Sequence, residues 1–513
     1  MTRSPGMGRY GVRTWLLAGL TCVLLALTIL IVPESDAPPA AASPADPQVS
    51  ATVGSQPTGA KLPPGFTGVS LEYSALHLYT GRDPRAVNPV LIALLRNLVA
   101  PGGSPVLRIG GNSADRTWWP IRGMIPPGGV SYRLTEGWMR TTQALAAALG
   151  ARMILDLNLA AGRPGLAATE ARTLLSGVGR RYIDEFEIGN EPDVYSLFPW
   201  YRDRRGRVVF ARGSSWGLSQ YLAQFARWRA ALPHFPLAGP AFAELTWLSG
   251  LGRFIAAEPG LRLLTLHRYP LRACLSNPAD PGYPTIPALL SDGSSAGLAQ
   301  QVAPYVASAH QKGLGFRLDE LNSASCSGKP GVSDTFASAL WMLDTLFNLA
   351  SAGVDGVNVH SLPGAAYELF TFSHPATGWQ AFVHPEYYAL LMFGQAFPAG
   401  AQLLPTSVNP NGPVKVWATR GQDFRTRVVV INKDPANSYS VQLQISGLTG
   451  PASLTWLQAP NVSATSGVTL GGQSFGSATS TGNLGSMQTQ SIQPVLGNYT
   501  IQMPPGSAVL LTQ

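Results

Sequence analysis

Between Gly65 and Val359 the chain repeats one pattern eight times, a short apolar run of β type followed by a longer stretch with helical spacing. The runs are Gly65–Leu71, Pro105–Ile109, Arg152–Leu157, Ile183–Ile188, Pro236–Ala238, Arg262–Leu266, Gly315–Leu318 and Asp355–Val359. A strand that returns only after a helix must pair in parallel with its predecessor. Helical segments are expected over Thr135–Leu149, stopped by Gly150, over Ser219–Leu232 before Pro233, and over Ser333–Ala350, with Ser333 as cap and Gly353 beyond the end. A doubly wound open sheet gives the same alternation, but eight units in a row predict a (β/α)8 barrel, whose chemistry sits at the carboxyl ends of its strands.

The composition changes after about Phe397. From Pro435 to Gln513 there is no Asp, Glu, Lys or Arg, and Ser, Thr, Gly, Gln and Asn punctuate the runs Val428–Ile431, Val441–Ile445, Ser453–Leu457, Tyr499–Met503 and Ala508–Leu511. Regular alternation of this kind predicts an all-β sandwich packed on the barrel, completed by residues near Ser50 to Lys61 from the other end of the chain. At the start, Trp15–Val32 is an uncharged apolar stretch preceded by Arg3, Arg9 and Arg13, the polarity of an exported amino terminus. The expected organisation is a signal peptide or membrane anchor over 1–32, a Pro/Ala/Ser-rich linker over 33–60, the barrel over 61–395 and the sandwich over 396–513. The product is expected to be secreted or held at the outer face of the cytoplasmic membrane, with membrane contact only through that first segment.

The net charge of +8 fits an acidic partner and equally fits plain solubility. With 31 Arg to five Lys, the basic excess reads as the coding bias of a GC-rich bacterial genome. No basic cluster interleaved with aromatics argues for nucleic acid. Nor is there a metal-ligand spacing, a phosphate-cradling glycine loop or a nucleophilic-serine elbow, so no metal or cofactor is expected. Cys274 and Cys326 fall in the loops after the sixth and seventh strands, which adjacent strands bring together; a disulfide bracing the rim is expected, two buried free thiols being the alternative.

Two carboxylic acids stand at strand tips. Glu191 ends the run in FEIGNEPDVY (Phe186–Tyr195), directly before a proline, and Glu320 ends another in RLDELN (Arg317–Asn322). In an eight-stranded barrel both tips face one mouth, and paired carboxyls there are what glycoside hydrolysis requires. Taken singly, each reads equally well as a solvated or structural acid.

The longer segments around them decide the reading. FEIGNEPDVY resembles the acid/base segment of glycoside hydrolase family 79, the heparanase and β-glucuronidase family, and RLDELNSASCSGKPGVSDTFASALWMLD (Arg317–Asp344) is similar to its nucleophile segment. The likeness extends to VLRIGGNSAD (Val106–Asp115), LHRYP (Leu266–Pro270) and Gly364–Tyr367, so it covers most of residues 61–395. It implies Glu191 as acid/base and Glu320 as nucleophile. It further implies that Asn190 bonds the sugar 2-hydroxyl and that Arg108 and Asn112 orient nucleophile and sugar. His267 and Tyr269, two residues apart after the sixth strand, point to the same side of an extended chain. There the tyrosine is expected to donate a hydrogen bond that keeps the nucleophile ionised; a satisfied core histidine is the alternative for His267. The likeness also implies that Glu72 contacts the sugar and that Tyr367 with the backbone at Gly364 receives the uronate carboxylate, although this chain has Gly-Ala-Ala-Tyr where heparanases carry a longer segment. The implied activity is that of a retaining exo-β-glucuronidase acting on glucuronic-acid-containing glycans. The alternatives are an endo-acting, heparanase-like hydrolase, favoured by the Arg-rich insertion Tyr201–Arg212, and an inactive carbohydrate-binding surface protein.

Overall fold

The computed structural model describes residues 46–99 and 103–513; the apolar segment expected over 1–32, with the first part of the expected linker, lies outside them. Among the described residues no helix is long and apolar enough to cross a membrane.

Eight parallel strands close into a barrel in the order five, six, seven, eight, one, two, three, four. They are Thr67–Glu72, Val106–Gly110, Arg152–Leu157, Ile183–Ile188, Leu237–Phe242, Leu261–Arg268, Gly315–Leu321 and Gly356–Ser361. Their Val, Leu and Ile side chains are buried on both faces, as a parallel sheet covered by helices requires. All eight expected strands are present, but the fifth to eighth run two to four residues past their expected ends. His267 and Glu320 consequently lie on the last residues of strands, where the ladder fixes their backbone.

Local chemistry sets the helix ends. The Thr135 hydroxyl accepts the Trp138 N–H to open the helix Glu136–Leu149, and Gly150, at φ +61°, closes it in a left-handed conformation that costs glycine little. The helix Phe336–Ser351 departs from expectation. Ser333 does not cap it, because its hydroxyl accepts the Lys329 N–H; the first helical N–H groups, of Phe336 and Ala337, go instead to the carbonyls of Ala464 and Val462 in the second module. That helix is buried almost all round, because the helices Ala296–His310 and Pro385–Ala396 flank it and the sandwich's Trp417 stacks on its Phe347.

The sandwich has one sheet ordered Thr406–Asn409, Gln48–Val53, Tyr439–Ile445, Asn498–Met503. The other is ordered Gln402–Leu404, Val414–Arg420, Thr426–Asn432, Ser507–Thr512, Ala452–Gln458, Thr469–Leu470. The linker expected over 33–60 is therefore corrected from residue 48 onward. Gln48–Val53 alternates exposed and buried residues, and its Val49, Ala51 and Val53 fill the sandwich core, so it pairs as an interior strand.

Barrel and sandwich meet through a buried ion cluster. Lys433 Nζ donates to Asp344 Oδ2 (2.8 Å) and Asp292 Oδ1 (3.2 Å), while Trp417 Nε1 donates to Asp344 Oδ1 (2.9 Å) and its ring stacks on Phe347. Cys274 and Cys326 are disulfide-bonded with Cα atoms 5.7 Å apart, where Leu271–Arg272 and Ala324–Ser325 form a two-stranded parallel ladder on the barrel rim.

Candidate active site

The barrel mouth is built around one guanidinium. Arg108, on the second strand, has no exposed surface. Its Nη1 donates to Glu320 Oε2 (2.6 Å) and Ser70 Oγ (3.3 Å), its Nη2 to Asp156 Oδ2 (2.6 Å) and Asn190 Oδ1 (3.0 Å), and its Nε to Glu187 Oε2 (2.9 Å). Asp319 Oδ2 lies 3.3 Å from Nε. A buried charge persists only when paired and fully hydrogen-bonded, and the planar fork of arginine meets that condition in three directions at once.

Glu320 rises from this floor with its other oxygen, Oε1, accepting the Tyr269 hydroxyl at 2.8 Å. His267 and His360 Nδ1 atoms lie 4.0 and 3.8 Å from Glu320 Oε2. Burial alone would raise the Glu320 pKa, but His360, His267 and Arg108, with the Tyr269 bond, hold it well below the usual carboxylate range. A carboxylate so held stays ionised, the state that suits a nucleophile rather than an acid.

Glu191 faces it. The residue sits at φ +51°, ψ +53°, a left-handed conformation uncommon for a side-chain-bearing residue, held between Gly189 and Pro192 with its N–H bonded to the Ala241 carbonyl. Its side chain is 21% exposed, the more open of the two acids. Glu191 Oε1 lies 3.1 Å from His267 Nδ1, and single atoms of Glu191, His267 and Glu320 all fall within 4.8 Å of one another. Burial would lower the His267 pKa; Glu320, the hydrogen bond to Glu191 and Asp319 outweigh it and push the ring up to about 9. At neutral pH the imidazolium therefore donates from Nδ1 to Glu191.

Around this pair stand the other residues singled out in the sequence. Asn190 Nδ2 reaches Asn112 Oδ1 at 3.4 Å, placing two side-chain amides beside Glu191. Glu72 is buried, with Oε1 accepting the Asn112 N–H (3.0 Å) and Oε2 the Ser113 N–H (2.7 Å), so both oxygens are committed to holding the Gly111–Arg116 turn. Gly111 is required there: a side chain would meet the Glu72 carboxylate, and its φ is +68°. Tyr367 packs on Tyr269 and His360, with ring centroids 6.1 and 5.8 Å away. The Gly364 loop is fixed by its own N–H to Glu368 Oε2 (3.1 Å) and by the Ala366 N–H to the Ser327 carbonyl (2.8 Å), which ties the loops after strands seven and eight together.

Sequence reasoning missed the carboxylates beneath the mouth, Asp156, Glu187 and Asp319, together with Asp115 and His360. Asp115 accepts the N–H groups of Leu159, Ala160 and Asn190 and thereby locks three tips together. The available signal was a charge within otherwise apolar strands, as in MILDL and FEI. With one guanidinium among so many carboxyls, burial raises Asp319 and Asp156 well above the ordinary aspartate value, while Arg108 and bonds from Asp156 and Asp319 leave Glu187 lowered despite its burial.

This arrangement can be set against known proteins. Residues 416–510 match the family model of the glycosyl hydrolase family 79 C-terminal beta domain. A β-glucuronidase of Neurospora crassa is 25% identical over 349 residues, which is 61% of this chain and 59% of that protein, so the match spans about three fifths of the relative. The family 79 match covers the carboxyl-terminal module. Among solved structures, a 4-O-α-L-rhamnosyl-β-D-glucuronidase from Fusarium oxysporum superposes with a TM-score of 0.72 at 20% identity, over 90% of this chain and all of that one. A family 51 arabinofuranosidase from Xanthomonas axonopodis pv. citri gives 0.64 at 16% identity over 91% of this chain and 99% of that one. At such identities these likenesses establish the shared fold of barrel and β module, and the family 79 match extends that fold to the module carrying Lys433.

Proposed function

We propose that the protein is a retaining β-glycosidase that removes terminal glucuronic acid by double displacement. The observation that carries this reading is the close approach of Glu191 and Glu320, whose carboxylate oxygens come within 4.8 Å across the mouth. Retaining enzymes set their carboxyls about 5–5.5 Å apart, whereas inverting ones leave about 6.5–9.5 Å for a water molecule. Glu320, held ionised, attacks the anomeric carbon, and Glu191 protonates the glycosidic oxygen. His267 donates to Oε1 of Glu191, which leaves Oε2 as the oxygen that carries the proton to the leaving group. After the aglycone departs, Glu191 takes a proton from water, and the glycosyl ester on Glu320 is hydrolysed. Specificity for a uronate rests on the family likeness and on the activity named for the Neurospora relative. Tyr367 and the loop at Gly364 are the segment that likeness assigns to the carboxylate.

Hydrolysis of an aryl β-D-glucuronide beside the matching glucoside and xyloside tests the substrate, and proton NMR of the first-released sugar tests the stereochemistry. The β anomer is expected, from the glucuronide alone. Glu320→Gln should abolish turnover, and Glu191→Gln should lower it by about 10²–10⁴-fold on a poor leaving group. First release of the α anomer would refute double displacement. Cleavage confined to internal bonds of an acidic polymer would favour the endo-acting alternative.

A further inference from the structure

Beside Glu191 a pocket runs away from the nucleophile. It is lined by Glu191, Asn112, Arg116, Phe198, Trp200 and Ala211 among others, but not by Glu320, Tyr269 or Tyr367. Its far wall, Phe198 to Trp200 with Ala211, is the two ends of an insertion after the fourth strand whose body is a two-stranded hairpin of Pro199–Arg202 and Val208–Phe210. The hairpin root is clamped. Arg116 Nη2 donates to the Trp200 carbonyl at 2.7 Å, and Gly128 and Gly129 lie so close under Tyr201 and Trp200 that side chains there would collide with the rings.

The surface this rigid base presents is out of character for a solvated loop. Leu197, Phe198, Val208 and Phe210 are 62%, 56%, 39% and 42% exposed, so four of the nine large apolar side chains exposed among the described residues fall on this one insertion. Trp200 is among the residues that line the pocket, and its indole Nε1 is buried without a hydrogen-bond partner. A clustered, exposed apolar patch marks a binding surface, whereas single exposed apolar residues do not.

We infer that the insertion is a leaving-group subsite for an apolar aglycone, so that the substrates are glucuronides of hydrophobic alcohols or phenols rather than uniformly polar glycans. The inference rests on the roles proposed for Glu191 and Glu320. In double displacement the leaving group departs on the side of the acid, and the pocket opens on Glu191 alone of the two. Phe198 and Trp200 then lie along the aglycone.

Alkyl β-D-glucuronides test this, because methyl, butyl, hexyl and octyl leaving groups differ little in acidity. A methylene fully removed from water gains about fourfold, and an open groove captures about twofold per methylene, so hexyl should exceed methyl by about thirtyfold in kcat/KM. Phe198→Ser should collapse the hexyl-to-methyl ratio several-fold, while Phe424→Ser, an exposed phenylalanine of the sandwich, leaves the ratio alone. A wild-type ratio near one, or a ratio unmoved by Phe198→Ser, overturns the subsite while the glucuronidase reading stands. No turnover of any glucuronide, methyl included, overturns both.

Discussion

The coupling between His267 and the proposed nucleophile can be tested apart from activity. His267 Nδ1 lies 4.0 Å from Glu320 Oε2, and both side chains are shut off from bulk water. A unit charge at that distance contributes about 4 kcal/mol at the effective dielectric that fits buried sites, which is about a thousandfold in proton affinity. Burial pulls the ring the other way, and Glu320 is the largest of the groups that hold it up at about 9. Glu320→Gln keeps the shape of the side chain and deletes its charge, so His267 should fall to the ordinary histidine range, near neutrality. The assay is a pH titration of 13C-labelled histidine by NMR. The chain has seven histidines, and His267→Gln identifies the resonance. A ring still titrating near 9 in Glu320→Gln would refute the reasoning and assign the support to Glu191 and Asp319. The amide also stands in for the nucleophile once esterified, when its charge is gone. In that state His267 would be free to lose its proton, in the half-reaction in which Glu191 must act as a base.

Other expectations concern stability and positioning. Because the folded pKa of His267 is raised, its contribution to stability is complete below about pH 6.5 and is lost as pH rises toward about 9; wild type should lose about 3 kcal/mol more than His267→Gln across that window in urea denaturation, and parallel curves would contradict it. Lys433→Met should cost about 3 kcal/mol by thermal or chemical unfolding, at the low end for a broken buried pair because Trp417, Ser295 and Asn348 still donate to Asp344. An unchanged midpoint would show that the ion cluster is not needed to join the two modules. Gly328→Ala places a methyl 2.9 Å from the Tyr367 ring at a φ of +74°, so it should raise KM for the glucuronide more than it lowers kcat, with about 1–2 kcal/mol of lost stability. Tyr269→Phe removes one hydrogen bond to a charged oxygen and should lower kcat/KM by about 10–100-fold.

The barrel was legible because strand and helix periodicities alternate without interruption, and the two acids because long motifs surround them. Strand ends were read short where polar functional residues broke the apolar run, as at His267 and Glu320, and where Gly239-Pro240 hid the rest of the fifth strand. The Arg108 cluster was illegible for another reason. Asp156, Glu187 and Asp319 converge from three different strands, and a charge within an apolar strand marks burial without showing that all three will meet one guanidinium. Ser333 looked like a cap because the composition of a helix start does not reveal that another module will supply the carbonyls.

The strand Gln48–Val53 has a consequence for how the molecule comes into being. Its antiparallel partner is made 359 residues later, at Asn409 beside Ser50. At a translation rate of about 5–20 residues per second, that is on the order of half a minute in which an apolar strand has no sheet to join. The β module cannot assemble until the barrel between its two parts has left the ribosome, so the two are bound into one order of events. A chain cut before Lys61 would then forfeit the middle of a sheet and leave two open edges for neighbouring molecules to pair with.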